Sequence, residues 1–196
     1  MEISREDAYR RFQDIRKRFS RSKLGDANEA QTRLLIVNEV LGALGWEKED
    51  FNPETPMTSG TSIDYLDYLL KSNDVPRVVI EAKRIGHTFA NPRQNLKKNE
   101  YQLLYLQNAF GPSLSEVLEQ AKRYTTKAHV PFAVITNGAE WMLLQLTPPP
   151  GKVINELYGF YLGNILDEEC QPNLDLFWRL LAKSSVSNRG LEEAFN

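Results

Sequence analysis

The sequence predicts an α/β sandwich, a mixed central sheet with helices on both faces. Three observations carry that expectation. Apolar residues recur at helical spacing near both ends and in the middle of the chain; β-branched and aromatic residues gather in short runs between those stretches; and turn-forming residues separate the runs. With 196 residues, 41% hydrophobic and 26% charged, the chain has the balance of one globular domain, which sets aside disordered, collagenous and coiled-coil classes.

Each element follows in turn. Residues 5 to 19 place Ala8, Phe12, Ile15 and Phe19 at helical spacings, with Ser4 as N-cap. A polar break at 21 to 27, around Gly25, precedes a second helix at 28 to 44 with the stripe Leu34, Leu35, Val37, Val40, Leu41 and Leu44. Gly45 stops that helix, and Trp46 packs back onto the core. Residues 47 to 60, rich in Pro, Gly, Thr and acid, read as a loop with room for a short strand. The period then changes. Ser62–Leu70 and Arg77–Lys83 are strand-like, and the intervening Lys-Ser-Asn-Asp-Val-Pro is turn chemistry, so they form a hairpin. Residues 86 to 98 make an irregular connection, 99 to 109 a helix, and Pro112 and Ser113 open another helix from 114 to 128. Phe132–Thr136 and Glu140–Leu146 pair about the turn Asn137-Gly138, and Val153–Leu162 is a last strand. A closing helix at 173 to 183 uses Leu174, Phe177, Leu180 and Leu181. The expected organisation is an N-terminal helix and connector (1–27), a main domain (28–183) and a C-terminal tail (184–196).

Composition narrows the function classes. No run approaches 18 consecutive apolar residues, and the N-terminus is charged from Glu2 onward, so neither a membrane span nor a signal peptide is expected and no membrane partner is implied. The single cysteine, Cys170, supports neither a disulfide framework nor a sulfur-ligated zinc, which fits a reducing cytoplasm. A net charge of -2 argues against nonspecific coating of nucleic acid. The charge is uneven, however: Lys83, Arg84, Arg93, Lys97 and Lys98 fall in a 16-residue stretch with no acid.

The hairpin carries the chemistry. Val78-Val79-Ile80 suits a central strand, and it ends in Glu81-Ala82-Lys83, which puts the acid and the amine on one face. Such groups are costly to bury without a task. Folding about Asn73-Asp74 brings Asp67 roughly opposite Glu81, with Asp64 nearer the far end, so one or both aspartates supply a second carboxylate. Two carboxylates at a strand end make a hard oxygen site for Mg²⁺ or Mn²⁺. A metal there lowers the pKa of a water and neutralises phosphodiester charge, and Lys83 positions the water or stabilises the transition state. The competing expectation is a solvated ionic cluster on an edge strand.

The string Asp67-Tyr-Leu-Leu, a short turn, then Val78-Val-Ile-Glu81-Ala-Lys83-Arg84 resembles the PD-(D/E)XK nuclease superfamily, and more narrowly the N-terminal nuclease domain of type I restriction enzyme R subunits. Asn28-Glu29-Ala-Gln-Thr32-Arg33 with Leu44-Gly45-Trp46, Gln120-Ala-Lys-Arg-Tyr124, and Ile135-Thr136-Asn137-Gly138-x-x-Trp141 resemble that family's flanking motifs in the same order, over about residues 28 to 183. The resemblance implies a restriction-endonuclease-like fold and a Mg²⁺-dependent DNA endonuclease of the restriction and defence type, with Mn²⁺ as substitute. It implies Asp67, Glu81, Lys83, Gln120 and Tyr124 as catalytic residues, and Glu29, Asp67 and Glu81 as metal ligands. Asp64 stays open as the alternative to Asp67, since a bulge would switch which one faces Glu81. Arg84, Arg93, Lys97, Lys98, Lys122, Arg123 and Lys127 are the candidates for DNA phosphates.

R subunits continue into an ATP-driven translocase, whereas this sequence holds no G-x-x-x-x-G-K-[ST] loop. That leaves a standalone nuclease, a subunit served by a separate motor ATPase or specificity subunit, or an excised domain. Double-strand cleavage needs two such sites, which points to a homodimer or a partner complex. The rival reading is a noncatalytic DNA-binding or assembly module on the same fold, and no residue separates DNA from RNA. Neither His87 nor His129 is assigned to catalysis; His129 is expected to cap a helix end.

Overall fold

Alternation along the strands builds the sheet. The computed structural model describes residues 3–19, 27–59, 62–87, 89, 100–153, 156–166 and 174–196, without the side chains of 52–55, 57–59 and 62–64. Its strands are β1 (Phe51–Ser59), β2 (Ser62–Ser72), β3 (Val75–Ala82), β4 (Glu100–Gln102), β5 (Phe132–Thr136), β6 (Glu140–Gln145) and β7 (Tyr158–Asn164), in the order β1-β2-β3-β5-β6-β7-β4. The β3–β5 pair is parallel, with Ile80 opposite Val134; the other pairs are antiparallel. The sheet is therefore mixed, as the sequence predicts.

Helices cover both faces. One cluster joins Phe12 and Ile15 of α1 (Arg5–Phe19), Val40 and Leu41 of α3 (Asn38–Ala43), and Phe177 and Leu180 of α6 (Leu174–Leu181) to Val78, Ile80, Val134 and Leu143 of the sheet. The other joins Leu106 and Phe110 of α4 (Leu103–Phe110) and Leu114, Val117, Leu118 and Ala121 of α5 (Pro112–Ala128) to Val79, Ala133, Ile135, Met142 and Leu144. Odd and even residues of one strand thus feed two different cores, the period-2 rule at work. Burying each of these large aliphatic side chains contributes about 1.5–3 kcal/mol.

The second predicted helix is one run with an internal change of pitch. It comprises α2 (Glu29–Thr32), a π-helical segment (Arg33–Val37) in which the Asn38 N–H bonds the Arg33 carbonyl, and α3. Asn28 caps it in a reciprocal box with Gln31, and Gly45, at φ +87°, ends it as expected.

Several predicted boundaries need correction. Residues 51–59, expected to be mostly loop, form the nine-residue edge strand β1, although it holds Pro53 and Pro56; the two have opposite parity, so the unpaired edge accounts for only one of them. The helix expected at 99–109 begins only at Leu103, because residues 100–102 pair with β7 as the opposite edge. The last strand starts at Tyr158, not Val153. After the closing helix come α7 (Lys183–Ser187) and α8 (Gly190–Ala194), whose Val186 and Leu191 are buried in the first core.

Candidate active site

β3 is central. It is hydrogen-bonded to β2 on one side and β5 on the other, so Glu81 and Lys83 do not lie on an edge strand. Glu81 shares the parity of Val79 and therefore faces α5; it is 1% exposed. Lys83 Nζ donates to Glu81 Oε1 at 2.6 Å and to Gln120 Oε1 at 3.0 Å. Gln120 Nε2 donates in turn to the Tyr124 hydroxyl at 3.3 Å, which donates to the Tyr65 carbonyl at 3.0 Å. One chain of bonds therefore links β3, α5 and β2, and it gathers four of the five residues expected to be catalytic.

The fifth, Asp67, enters from β2. Pairing of β2 with β3 runs from Ser72↔Val75 to Tyr68↔Ile80. One step further the Asp67 side chain replaces the backbone acceptor, and its Oδ2 takes the Ala82 N–H at 2.8 Å. Leu66 lies in the α5-side core and Tyr68 in the other, so alternation slips across Asp67. Asp67 is buried and its Oδ1 accepts from Arg33 Nη1, an ion pair whose members are 17% and 8% exposed. The Asp64 side chain, the open alternative, lies outside the described residues.

The electrostatics are those of a crowded, dry corner. Burial first, and then the Asp67 charge, push the Glu81 carboxyl up to about 7 against the opposing pull of Lys83, with a smaller push from Glu29. Burial alone would lower the Lys83 amine, but the charge and hydrogen bond of Glu81, with Glu29 and Asp67, outweigh it and hold the amine above its ordinary value. Glu81 Oε2 is buried without a hydrogen-bond partner. A buried orphan oxygen of this kind calls for an explanation.

A second set of contacts fixes the segment after Lys83. The Lys83 N–H bonds the Thr136 carbonyl at 2.7 Å, and the Ile85 N–H bonds Thr32 Oγ1 at 3.1 Å. Asn137 Nδ2 reaches the His87 carbonyl at 2.7 Å and Glu140 Oε2 at 2.8 Å, while that same oxygen takes the Phe89 N–H at 3.0 Å. Gly138, at φ +84°, lets this turn close onto α2: a Cβ there would lie 2.9 Å from Thr32 Cγ2.

The remaining predicted residues divide. Glu29 stands half-buried in the first turn of α2. Among the described residues no group of three His, Cys, Asp or Glu converges on one point, so Glu29 does not join Asp67 and Glu81 as a third close ligand. Arg84 and Arg123 are exposed, and Lys122 and Lys127 are half-buried. Lys122 sits roughly 200° around α5 from Gln120, at ~100° per residue, whereas Arg123 and Lys127 flank the Gln120–Tyr124 stripe. Arg93, Lys97, Lys98 and Cys170 lie outside the described residues. His87 packs edge-on against Phe89 at 5.0 Å, and His129 is the left-handed C-cap of α5.

Sequence reasoning did not assign Arg33, Thr32, Asn137 or Glu140 a task. Arg33 carried a signal: it stands four residues after Glu29, on the same helical face.

Two carboxylates that arrive from adjacent strands of a mixed sheet, with a lysine on one and a Gln-x-x-x-Tyr helix behind, define a PD-(D/E)XK nuclease-like domain. The family described as type I restriction enzyme R protein N terminus matches residues 10–152, and the chain belongs to it. No curated protein and no solved structure matches the chain. Among the described residues no helix is long and apolar enough to cross a membrane.

Proposed function

We propose that this domain is a metal-dependent DNA endonuclease that hydrolyses phosphodiester bonds in a restriction system. The observation that supports this best is the buried, unpartnered Glu81 Oε2 beside Asp67, in a site whose lysine is already oriented. The donor set suits Mg²⁺, with Mn²⁺ as substitute, because such an ion takes one or two carboxylates and completes its shell with water and substrate phosphate. Asp67 and Glu81 would hold it, with Glu29 contributing charge from farther out. When bound, the ion acidifies a water and neutralises charge on a phosphodiester oxygen.

The chain's own residues do the rest. Gln120 anchors Lys83, so the ammonium is held at one point instead of sweeping a cone, and from there it orients the attacking water or meets the developing negative charge. Tyr124 ties that helix face to β2 at Tyr65, two residues before Asp67. Arg84, Arg123 and Lys127 would meet backbone phosphates, which gives affinity and register without sequence readout. Arg93, Lys97 and Lys98, which lie outside the described residues, add to the basic charge of the same stretch of sequence.

The test is plasmid cleavage in Mg²⁺ by the wild type, Lys83→Ala and Glu81→Ala. Cleavage by the wild type and loss in both variants, with unchanged circular dichroism, is the expected result. Cleavage surviving either change contradicts the assignment. A noncatalytic module is the second reading, favoured by one observation: no third acidic ligand converges on Asp67 and Glu81 among the described residues. That reading expects DNA binding without cleavage by the wild type.

A further inference from the structure

The two carboxylates of the site each hold a cation of their own, and the two cations come from different elements. Lys83 on Glu81 is fixed by a second bond, to Gln120 on α5, and belongs to the same strand as its acid. Arg33 on Asp67 comes from a different element, the first residue of the π-helical segment, where the backbone bond skips one residue more than in an α-helix. Such segments concentrate at functional sites. Each Asp67 oxygen accepts one bond, Oδ2 from the backbone N–H of Ala82 and Oδ1 from the Arg33 side chain, so Oδ1 is the oxygen whose donor can leave without disturbing the sheet.

Charge argues for exchange rather than sharing. With Asp67 and Glu81 both buried, two adjacent negative charges without partners would repel, and Arg33 and Lys83 relieve that repulsion. A divalent cation at the same corner would supply the compensation itself. A guanidinium and a divalent cation on one carboxylate oxygen would then repel each other across a partly buried site, where screening by water is weak. Lys83 is spared this conflict, since Glu81 keeps Oε2 unoccupied.

We propose that Arg33 is a placeholder cation, which holds Asp67 while the site lacks a divalent ion and gives up Oδ1 when one is bound. The inference rests on the metal-dependent reading above and adds to it a residue that governs when the site is loaded. Linkage makes the effect reciprocal: whatever Arg33 gains from Asp67, the divalent ion must overcome.

The experiment is calorimetric titration of Mn²⁺, without DNA, into the wild type, Arg33→Gln and Arg33→Lys, beside thermal unfolding in chelator. Arg33→Gln is expected to bind Mn²⁺ about tenfold more tightly than the wild type, with Arg33→Lys between them. In chelator Arg33→Gln should unfold at a lower temperature, and Mn²⁺ should restore more of its stability than it adds to the wild type. Magnetic resonance of the wild-type guanidinium signals adds a readout that needs no variant, and it decides the matter if Arg33→Gln does not fold: saturating Mg²⁺ should shift the Arg33 signal. Equal or weaker Mn²⁺ binding by Arg33→Gln, with clear binding by the wild type, overturns the placeholder and leaves the metal site standing. No binding heat in any of the three proteins removes the metal reading, and this inference with it.

Discussion

The β2–β3 hairpin treats its two ends in opposite ways. At the closed end Asn73 and Asp74 both adopt left-handed backbone, φ 51° and 62°, and the strands pair at once through Ser72↔Val75 and Lys71↔Pro76. Positive φ at both turn residues gives the twist that a tight hairpin wants. At the open end the ladder stops after Tyr68↔Ile80, and a side chain, Asp67, bonds the Ala82 N–H instead. The closed end pairs strand to strand, with one register shift between Leu70 and Lys71. The open end satisfies its polar groups with ionised side chains, and leaves Glu81 Oε2 without a partner. One strand pair thus holds a cheap structural end and a costly one, and the costly end is where charge can be exchanged for a ligand.

The largest way to sharpen this contrast is at Lys83. Lys83→Ala should lower cleavage by roughly 10³-fold, measured on plasmid DNA, because it removes the one oriented amine. Next comes Asp67. Asp67→Ala leaves the buried Ala82 N–H without its acceptor and should cost about 1–3 kcal/mol in urea unfolding; Asp67→Asn keeps a carbonyl acceptor and should cost less, while both lose Mn²⁺ binding.

The pH dependence isolates Glu81. Its carboxyl is raised from 4.5 to about 7, so between those values the folded chain binds a proton that the unfolded chain has released. Its contribution to the stability of the metal-free protein should therefore be full below pH 4.5 and fade as pH rises through 7. Glu81→Gln should flatten the thermal-unfolding profile over that window. The smallest effect belongs to the closed end: Asp74→Gly relieves left-handed backbone and should raise stability by about 0.5–1 kcal/mol, with no change in cleavage.

Much of this was legible in the sequence because the rules involved are local. Alternation in Val78–Ala82, the turn at Asn73-Asp74, and the i, i+4 pair Gln120 and Tyr124 each need only a few neighbouring residues, and each falls where it was expected. The misread pieces depend on partners far away in the chain. β1 reads as loop because Pro53 and Pro56 dominate its composition, and its place as a strand comes from pairing with β2, a partner no local pattern reveals. Residues 100–102 become strand only because β7 offers them a free edge. Arg33 received no task for the same reason. Its meaning lies in Asp67, 34 residues away, and no spacing rule joins a helix to a carboxylate on a strand. Glu29, expected as a ligand, stands half-buried on α2 and adds its charge to the Glu81–Lys83 pair; among the described residues no group of three acids forms with Asp67 and Glu81.

The most direct test of the central claim is a crystal structure grown with Mn²⁺, read by its anomalous scattering. The account predicts one strong peak at about 2.1 Å from a carboxylate oxygen of both Asp67 and Glu81, with Arg33 withdrawn from Asp67. A peak elsewhere, or Asp67 still bonded to Arg33 at saturating Mn²⁺ with no ion beside Glu81 Oε2, would contradict it.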